Sequence, residues 1–262
     1  MNMKRLVTLL LLVVVVGMLI GPITAQENKI ATIIYTQELD NLNRMYTDMW
    51  FSAITLDLWI SAAITFDGDL NPVPVLLTEI PSVANGGISE DGTVITFNLR
   101  DDIKWSDGEP MTSADFVFTY EMITAEENAP NSRFPYDTKI TSVETPDERT
   151  VVITFGEPFA PWMTNIFTYV LPQHILGPVF EEEGTIDEAA WNRAPMVSSG
   201  PYVFSEWESG SHILFTRNDN YFNEPAKLDG VFIRFVEDDA AQVNALVNGD
   251  GQMGTFISYS DL

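Results

Sequence analysis

A strand, a turn and a capped helix in close succession constrain the fold of this chain more than any other feature. Residues 93–100 (TVITFNLR) alternate apolar and polar side chains, which is typical of a half-buried β-strand. Ser106-Asp107-Gly108 then indicates a turn. Thr112 and Asp115 have the spacing of a capping box, and the apolar residues that follow predict a helix over 112–123. A chain with this local order has to pack a sheet against helices.

Similar patterns continue along the rest of the chain. Residues 61–80 contain Asp67-Gly68-Asp69 and two prolines, which predicts a short hairpin and an extended arm. Residues 145–149 predict a hairpin turn of more than two residues. The mixture places the fold in the α/β (mixed α+β) class. Further strands are predicted at 29–35, 140–144, 150–155, 202–207, 213–217 and 231–236, helices at 45–60 and 238–248, and a last element from 253 to 257.

The N-terminus predicts export. Lys4 and Arg5 precede an apolar run over 6–20, and Ala25 stands at the expected cleavage point before Gln26. We therefore interpret residues 1–25 as a cleaved secretory signal peptide, with an uncleaved anchor as the alternative. The chain has no cysteine to carry a lipid anchor, which favours a periplasmic or secreted protein.

Charge and motif content argue against several classes of function. The chain has 13 Lys and Arg against 38 Asp and Glu, a net charge of −25, so a nucleic-acid partner is not expected. His174 and His212 are far apart, and neither a Gly-x-Ser-x-Gly elbow nor a phosphate-binding glycine loop occurs. The sequence therefore predicts no enzyme, no metal site and no cofactor. Carboxylates are abundant, which leaves a glycosidase-type pair open.

Three stretches resemble the extracellular solute-binding proteins of family 5, which serve importers of dipeptides, oligopeptides, nickel and some oligosaccharides. The first is residues 96–121, TFNLRDDIKWSDGEPMTSADFVFTYE, and the second is residues 171–174, LPQH. The third runs over 199–249 and includes SGPYVFSEW, RNDNYF and LDGVFIRFVED. Two details depart from the family pattern. Ser198-Ser199 precedes Gly200-Pro201-Tyr202, and Gln252-Met253 replaces an expected Asp.

The resemblance implies a periplasmic-binding-protein-like lobe with an inserted accessory α+β subdomain. Residues 26–60 and 172–262 are expected to form this first ligand-binding lobe, and residues 61–171 the accessory subdomain. Family members continue into a second lobe, so the chain is expected to be a fragment with the second lobe missing. The 105–115 motif (residues 105–115, WSDGEPMTSAD) is expected to have a structural role, because a turn and a cap are features of the fold.

The resemblance also implies a function. It identifies the chain as the substrate-binding component of an ABC importer, which captures peptides outside the cytoplasm and delivers them to membrane permease subunits. Such a receptor is expected to act as a monomer. An oligosaccharide or a metal chelate is the alternative ligand within the family. An extracellular hydrolase and a surface adhesion module are the alternatives outside it.

The same layout places ligand contacts in the turn after the first strand and in the loop after the last helix. Tyr46 and Phe256 are aromatic and suit either ligand stacking or the core of the lobe. Backbone groups of extended segments at these positions are able to bind a peptide as an added strand. The predicted ligand-binding residues are Met45, Tyr46, Thr47, Thr255, Phe256, Ile257 and Ser258.

Overall fold

The computed structural model of the chain describes residues 29–256, so the predicted signal peptide lies outside the described residues. The helices are α1 (Trp50–Trp59), α2 (Ser113–Thr124), α3 (Trp162–Asn165), α4 (Gln173–Glu183) and α5 (Asp239–Val247), with 3-10 turns at Arg44–Tyr46 and Ala190–Asn192. The strands are β1 (Ile30–Tyr35), β2 (Ile64–Phe66), β3 (Pro72–Pro74), β4 (Val94–Asn98), β5 (Ile140–Asp147), β6 (Thr150–Phe155), β7 (Tyr202–Glu208), β8 (His212–Arg217), β9 (Gly230–Phe235) and β10 (Met253–Gly254). The predicted mixed α/β class is confirmed.

The main sheet joins the two ends of the described chain. Its order is β10-β1-β9-β8-β7, so the first strand lies between the last two. β1 is parallel to both neighbours, whereas β7, β8 and β9 form an antiparallel meander. Ile34 and Tyr35 are adjacent in β1, so their side chains point to opposite faces of the sheet, and both are buried. The carboxyl end of β1 is thus covered on both faces, in keeping with its apolar sequence. The carboxyl ends of β1 and β10 consequently meet at one edge of the sheet.

A second sheet has the order β4-β6-β5, and β2 and β3 form a separate hairpin. The predicted turn of more than two residues between β5 and β6 is wrong. Asp147 pairs with Thr150, which leaves only Glu148 and Arg149 in the turn. The Asp147 carboxylate accepts the Arg149 N–H at 2.8 Å and the Thr150 hydroxyl at 3.0 Å. A register shift between Glu144 and Asp147 accommodates the extra residues within the strand.

The helix predicted over 45–60 starts later than expected. Residues 44–46 form a separate 3-10 turn, and α1 begins at Trp50. Met49 has an extended conformation, with φ of −62° and ψ of 131°, which interrupts a continuous helix. The Thr47 hydroxyl accepts the Met49 N–H at 3.1 Å and stabilises this break. The apolar spacing that predicted one long helix therefore spans two short elements.

Helix α4 is absent from the sequence-based prediction, because Pro172 and Pro178 argue against a helix at this place. Pro172 is in fact the N-cap residue of the helix, and Gly184 ends it with a φ of 74°. Pro178 lies inside the helix, where it removes one backbone hydrogen bond. The apolar residues at 175, 176, 179 and 180 followed by a glycine are the signal that identifies this helix.

The 105–115 motif connects the second sheet to the main sheet. The capping box at the start of α2 is confirmed, since the Asp115 carboxylate accepts the Thr112 N–H at 2.9 Å. Trp105 is completely buried. The Ser106 N–H donates to the Ser198 carbonyl at 2.8 Å, which ties the motif to the strand-bearing segment 198–217. The motif therefore fastens one sheet to the other, in agreement with its expected structural role.

Gly200 marks a close approach of two backbones. Its N–H donates to the Trp59 carbonyl at 2.9 Å. A Cβ at this position would lie 2.6 Å from the carbonyl carbon of Trp59 and 2.8 Å from the Ile60 nitrogen. Only glycine fits at such a distance, so the Gly-Pro-Tyr segment is a feature of packing.

Candidate functional site

The candidate site lies at the carboxyl ends of β1 and β10. In open α/β sheets, ligands bind in the crevice outside the carboxyl ends of parallel strands. β10 is an edge strand of the described sheet, and it pairs with β1 at Ile33 and Ile34. The loop over 36–49 and the residues after Gly254 both leave the sheet at this edge. The two predicted ligand-binding segments therefore both follow strands that end at this edge.

An aromatic shelf covers this edge, formed by Tyr35, Trp50, Phe51 and Phe256. The Tyr35 and Phe51 rings are buried and lie 4.7 Å apart between centroids. Phe256 packs edge-on against Phe51 at 5.7 Å and against Trp50 at 6.5 Å. Trp50 is 60% exposed and Phe256 is 66% exposed. Two large exposed aromatic side chains in contact provide an apolar surface suited to a ligand.

The side chains of the N-terminal predicted residues serve the fold. Met45 and Thr47 are almost completely buried. The Tyr46 hydroxyl donates to the Asp187 carboxylate at 2.8 Å, and the Thr47 hydroxyl donates to Asp40 at 2.6 Å. Burial raises the pKa of Tyr46, and the neighbouring carboxylate of Asp187 raises it further. These three residues consequently shape the loop, and their contact with a ligand stays a prediction.

The C-terminal predicted residues are described only in part. The Thr255 N–H and hydroxyl both donate to the Ile34 carbonyl at 3.1 Å, which holds the chain beside β1. Phe256 has a φ of 58° and presents its ring on the aromatic shelf. Ile257 and Ser258 lie outside the described residues. Thr255 therefore positions the segment, and Phe256 is the exposed member.

Glu38 anchors the loop that follows β1. Its carboxylate accepts the Trp207 indole N–H, the Ser209 hydroxyl and the Gly210 N–H, each at 2.8 Å. Desolvation raises the pKa of Glu38, but these three hydrogen bonds and the nearby Arg193 guanidinium together hold that pKa below its ordinary value. The carboxylate is thus ionised at neutral pH and fixes the loop to the turn between β7 and β8.

Asp40 joins the loop to the start of α1. One carboxylate oxygen accepts the hydroxyls of Thr47, at 2.6 Å, and Ser52, at 3.0 Å. Ser52 and Trp50 both belong to the first turn of α1, so this contact also fixes the position of Trp50. Trp50 is absent from the ligand-binding residues predicted from the sequence. The buried residues of α1 include Phe51, Thr55 and Trp59, which recur every four residues along one face. Trp50 lies outside this face, and that position in the sequence indicates its exposure.

A polar pocket lies beside the aromatic shelf. We use this name for the cavity of about 160 Å³ between the loop residues Arg44, Met45 and Asp48 and the segments 131–136 and 164–169. Asp48 stands at its rim, two residues before Trp50. One short stretch of chain, the 44–50 segment (residues 44–50, RMYTDMW), therefore contributes residues to both the pocket and the shelf.

Two tyrosines line the polar pocket, and they differ in their partners. The Tyr136 hydroxyl accepts the Phe167 N–H at 2.6 Å, so it is used by the fold. Tyr169 has no hydrogen-bond partner for its hydroxyl among residues 29–256. Burial raises the pKa of Tyr169 well above its ordinary value, and the group therefore stays a neutral donor. Convergent polar groups in a concave site are a common feature of ligand-binding sites.

A larger pocket of about 340 Å³ lies at the capping box and includes Thr112, Asp115 and His174. Burial raises the pKa of Asp115, although hydrogen bonds from the N–H groups of Thr112 and Gln173 lower it. His174 contacts Asp107 at 2.9 Å. The principal polar groups of this pocket are thus engaged in holding α2, α4 and the 105–115 motif together.

The arrangement is suited to binding. Within residues 29–256, no group of three or more His, Asp and Glu side chains is placed to hold a metal ion. In the same residues, every helix is too short or too polar to cross a bilayer. The site offers apolar surface, hydrogen-bonding groups and a fixed loop, which are the requirements of a ligand-binding face.

Comparison with known proteins decides the family. The sequence model for the middle part of bacterial extracellular solute-binding proteins, family 5, matches residues 71–262. The chain belongs to the family 5 extracellular solute-binding proteins. Membership in a family of solute-binding receptors confirms the resemblance seen in the sequence and the prediction that the chain is not an enzyme.

Sequence relatives of this family 5 chain come from several bacteria. A Brucella abortus protein provisionally named an ABC transporter peptide-binding protein is 35% identical over 178 residues, which are 67% of this chain and 32% of that protein. The oligopeptide-binding protein AppA of Bacillus subtilis is 30% identical over 186 residues, which are 70% of this chain and 33% of that protein. The chain thus spans about a third of the length of these curated relatives.

Solved structures agree with the family 5 fold. The structure of AppA in complex with a nonapeptide matches with a TM-score of 0.73 and 25% identity, covering 86% of this chain and 44% of AppA. NikZ from Campylobacter jejuni, in complex with Ni(L-His), also matches with a TM-score of 0.73 and 25% identity, covering 85% of this chain and 42% of NikZ. The expected periplasmic-binding-protein-like fold is therefore confirmed.

Proposed function

We propose that this chain is part of the substrate-binding component of an ABC importer and contributes one face of the site that captures peptides outside the cytoplasm. The observation that carries the proposal is the aromatic shelf at the carboxyl ends of β1 and β10, with Trp50 and Phe256 in contact and exposed. Relatives named for peptide binding support the choice of ligand. Bound solute would pass to membrane permease subunits without chemical change.

The shelf and the strand beside it offer two kinds of contact. Trp50 and Phe256 provide apolar surface for a ligand side chain. β10 has a neighbour on one side only within the described sheet, so the backbone groups of its other edge are available for an added strand. Backbone pairing does not depend on the side chains of the ligand, so a receptor of this type accepts peptides of varied sequence.

We also propose the division expected from the sequence. Residues 26–60 and 172–262 form the first ligand-binding lobe, and residues 61–171 form the accessory subdomain. The placement of the sheets supports this division, because β1 and β7–β10 belong to the main sheet whereas β2–β6 lie in the other two. The receptor acts as a monomer in this proposal, with a ligand enclosed by hinge closure in the longer family proteins.

Export completes the proposal. Residues 1–25 act as a cleaved signal peptide, and the mature protein is periplasmic or secreted. The Lys4-Arg5 pair, the apolar run and Ala25 support this location. Mass spectrometry of the exported protein is expected to find a start at or near Gln26, whereas chains beginning at Met1 in the membrane fraction would contradict it.

A binding experiment separates the proposed function from its alternatives. The full chain is titrated with peptide pools, oligosaccharide pools and Ni(L-His), and binding is followed by ligand-observed NMR. We expect peptide binding without cleavage. Trp50→Ala and Phe256→Ala are expected to weaken it, and Val83→Ala is the control, because Val83 is an exposed apolar residue at 58% outside the 44–50 segment and the shelf. Selective sugar or nickel-chelate binding would replace the peptide proposal, and turnover would indicate a hydrolase.

A further inference from the structure

We infer that the polar pocket binds a free carboxylate group of the ligand, with Arg44 and Tyr169 as the recognising residues. This inference rests on the proposed function, because it names the chemistry of the ligand that the same face selects. The carboxylate belongs either to the C-terminus of a peptide or to another small carboxylic acid. A residue that binds this carboxylate would determine the ligand specificity of the site.

Arg44 is the one cation among the described residues that line the polar pocket. One of its terminal nitrogens donates to the Thr47 carbonyl and to the Asp48 carboxylate, the latter at 2.8 Å. A guanidinium has five N–H donors, and among residues 29–256 the second terminal nitrogen and Nε donate to no other group. These two nitrogens form the planar edge that pairs with both oxygens of a carboxylate.

The rest of the chain makes this cation distinctive. The net charge is −25, which repels anionic ligands from most of the surface. Within the described part of the chain, Asp48 is the single acid that lines the pocket, and its side chain is 64% exposed. Its hydrogen bond with Arg44 occupies one terminal nitrogen of the guanidinium, and water and salt screen its charge from a ligand farther away. A carboxylate is accepted at the remaining edge of that guanidinium.

Tyr169 supplies a second donor. Its hydroxyl lacks a hydrogen-bond partner among residues 29–256, so it can donate to a ligand without breaking a contact of the fold. Thr168 lines the same pocket. The volume of about 160 Å³ accommodates a carboxylate and a short stem, since a water molecule takes about 30 Å³ of liquid volume.

The pocket lies within reach of the aromatic shelf. Asp48 at its rim is followed by Met49 and then by Trp50 on the shelf. Two consecutive residues span at most about 7 Å, which is within the reach of a short ligand. A peptide whose terminal side chain packs on Trp50 thus places its terminal carboxylate at the pocket.

The test compares two forms of one peptide that differ only in this group. An N-acetylated tripeptide drawn from the binding pool is prepared with a free C-terminus and as its C-terminal amide, and both are titrated into the full chain. We expect the free acid to bind about 10-fold to 100-fold more tightly, the range of a hydrogen bond to a charged group. Arg44→Gln is expected to abolish this preference by weakening the binding of the free acid more than that of the amide.

Two further variants control the test. Arg193→Gln removes a cation that stacks on Trp207 outside the pocket, with the guanidinium carbon 3.9 Å from the ring centroid, and is expected to keep the full preference. Tyr169→Phe removes only the hydroxyl, and is expected to lower the preference severalfold with unchanged thermal unfolding. Because Tyr169→Phe needs no rearrangement of the fold, it keeps the inference testable if Arg44→Gln does not fold.

The outcomes are distinguishable. N-acetylglycine and its amide form the second arm. A preference for the small acid alone assigns the pocket to small carboxylates, and a preference for the tripeptide acid assigns it to a peptide terminus. Equal binding of acid and amide by the wild type contradicts the inference and leaves the proposed function intact. Failure of every peptide to bind contradicts the proposed function itself, and a preference that survives both Arg44→Gln and Tyr169→Phe overturns the assignment of these residues.

Discussion

The 105–115 motif and the 44–50 segment each combine a tryptophan with polar and charged side chains, but they use them differently. In the motif, Trp105 is completely buried and the Asp115 carboxylate accepts two backbone N–H groups. In the segment, Trp50 is 60% exposed, and Arg44 has donors at the polar pocket that no group among residues 29–256 accepts. The motif that identifies the family thus fastens the fold, whereas the less distinctive segment carries the candidate ligand contacts.

The difference has a physical origin. A motif that closes a turn, caps a helix and joins two sheets needs particular residues at fixed spacing, and it is recognisable in a single sequence. A ligand-binding face needs exposed apolar surface and spare hydrogen-bonding capacity, and many residue types supply these. We therefore expect substitutions in the motif to change stability, and substitutions in the 44–50 segment to change binding.

The largest expected effect contrasts two tryptophans. Trp105→Ala removes a completely buried side chain and is expected to lower the free energy of unfolding by about 3–5 kcal/mol. Trp50→Ala, at an exposed position, is expected to change it by less than about 0.5 kcal/mol while weakening peptide binding. Urea unfolding of both variants measures the contrast. Equal losses of stability would remove the distinction between the two regions.

A substitution at Gly200 tests the packing beside the motif. The added methyl group of Gly200→Ala would stand 2.6 Å from the Trp59 carbonyl carbon, so we expect a loss of about 1–3 kcal/mol in the free energy of unfolding. Gly68→Ala is the matched control, since a methyl group added there would have no atom of the described residues within 4 Å beyond its chain neighbours. Similar midpoints of thermal unfolding for the two variants would show that the backbones separate at little cost.

The capping box gives a smaller effect. Thr112→Ala removes the hydroxyl that accepts the Ala114 N–H at 3.3 Å and is expected to cost about 1 kcal/mol. Thr112→Ser keeps the hydroxyl and is expected to retain most of the stability. Chemical unfolding distinguishes the two, and peptide affinity is expected to be unchanged in both. A loss of affinity in Thr112→Ala would assign the motif a part in ligand binding.

The smallest effect is the pH dependence of the loop anchored by Glu38. The folded-state pKa of Glu38 lies below its unfolded value of about 4.3, so its contribution to stability is present above that pH. The contribution is lost as the pH falls through the folded-state pKa. Glu38→Gln lacks this dependence. At neutral pH we expect the variant to be less stable than the wild type by roughly 1 kcal/mol or less. This difference is expected to shrink below about pH 4. A difference that is constant from neutral to acidic pH would contradict this role.

Sequence patterns predicted most of the scaffold because its elements depend on local chemistry. The alternation in β4, the cap at Thr112 and the helix ending before Gly249 each reflect contacts between near neighbours. The start of α1 was misplaced because Thr47 and Asp40 set it through side-chain contacts across the loop. Helix α4 is not predicted from the sequence, because the prolines at its start and in its interior argue against a helix.

The site was harder to predict because it depends on exposure and on distant parts of the chain. Met45 and Thr47 are near the site in sequence, yet their side chains are buried in the fold. Arg44 and Tyr169 meet at one pocket although they are far apart in the sequence, and no local pattern links such residues. Spare hydrogen-bonding capacity, which carries the inference about the polar pocket, is a property of the folded chain alone.

Hydrogen exchange with a bound peptide tests the central claim most directly. Amide exchange of the full chain is measured with and without an excess of a binding peptide, and protection is mapped by mass spectrometry. We expect slower exchange in the 44–50 segment and around Phe256, with no change in the 105–115 motif. Protection confined to the 105–115 motif, with the 44–50 segment and Phe256 unaffected, would contradict the assignment of the ligand-binding face.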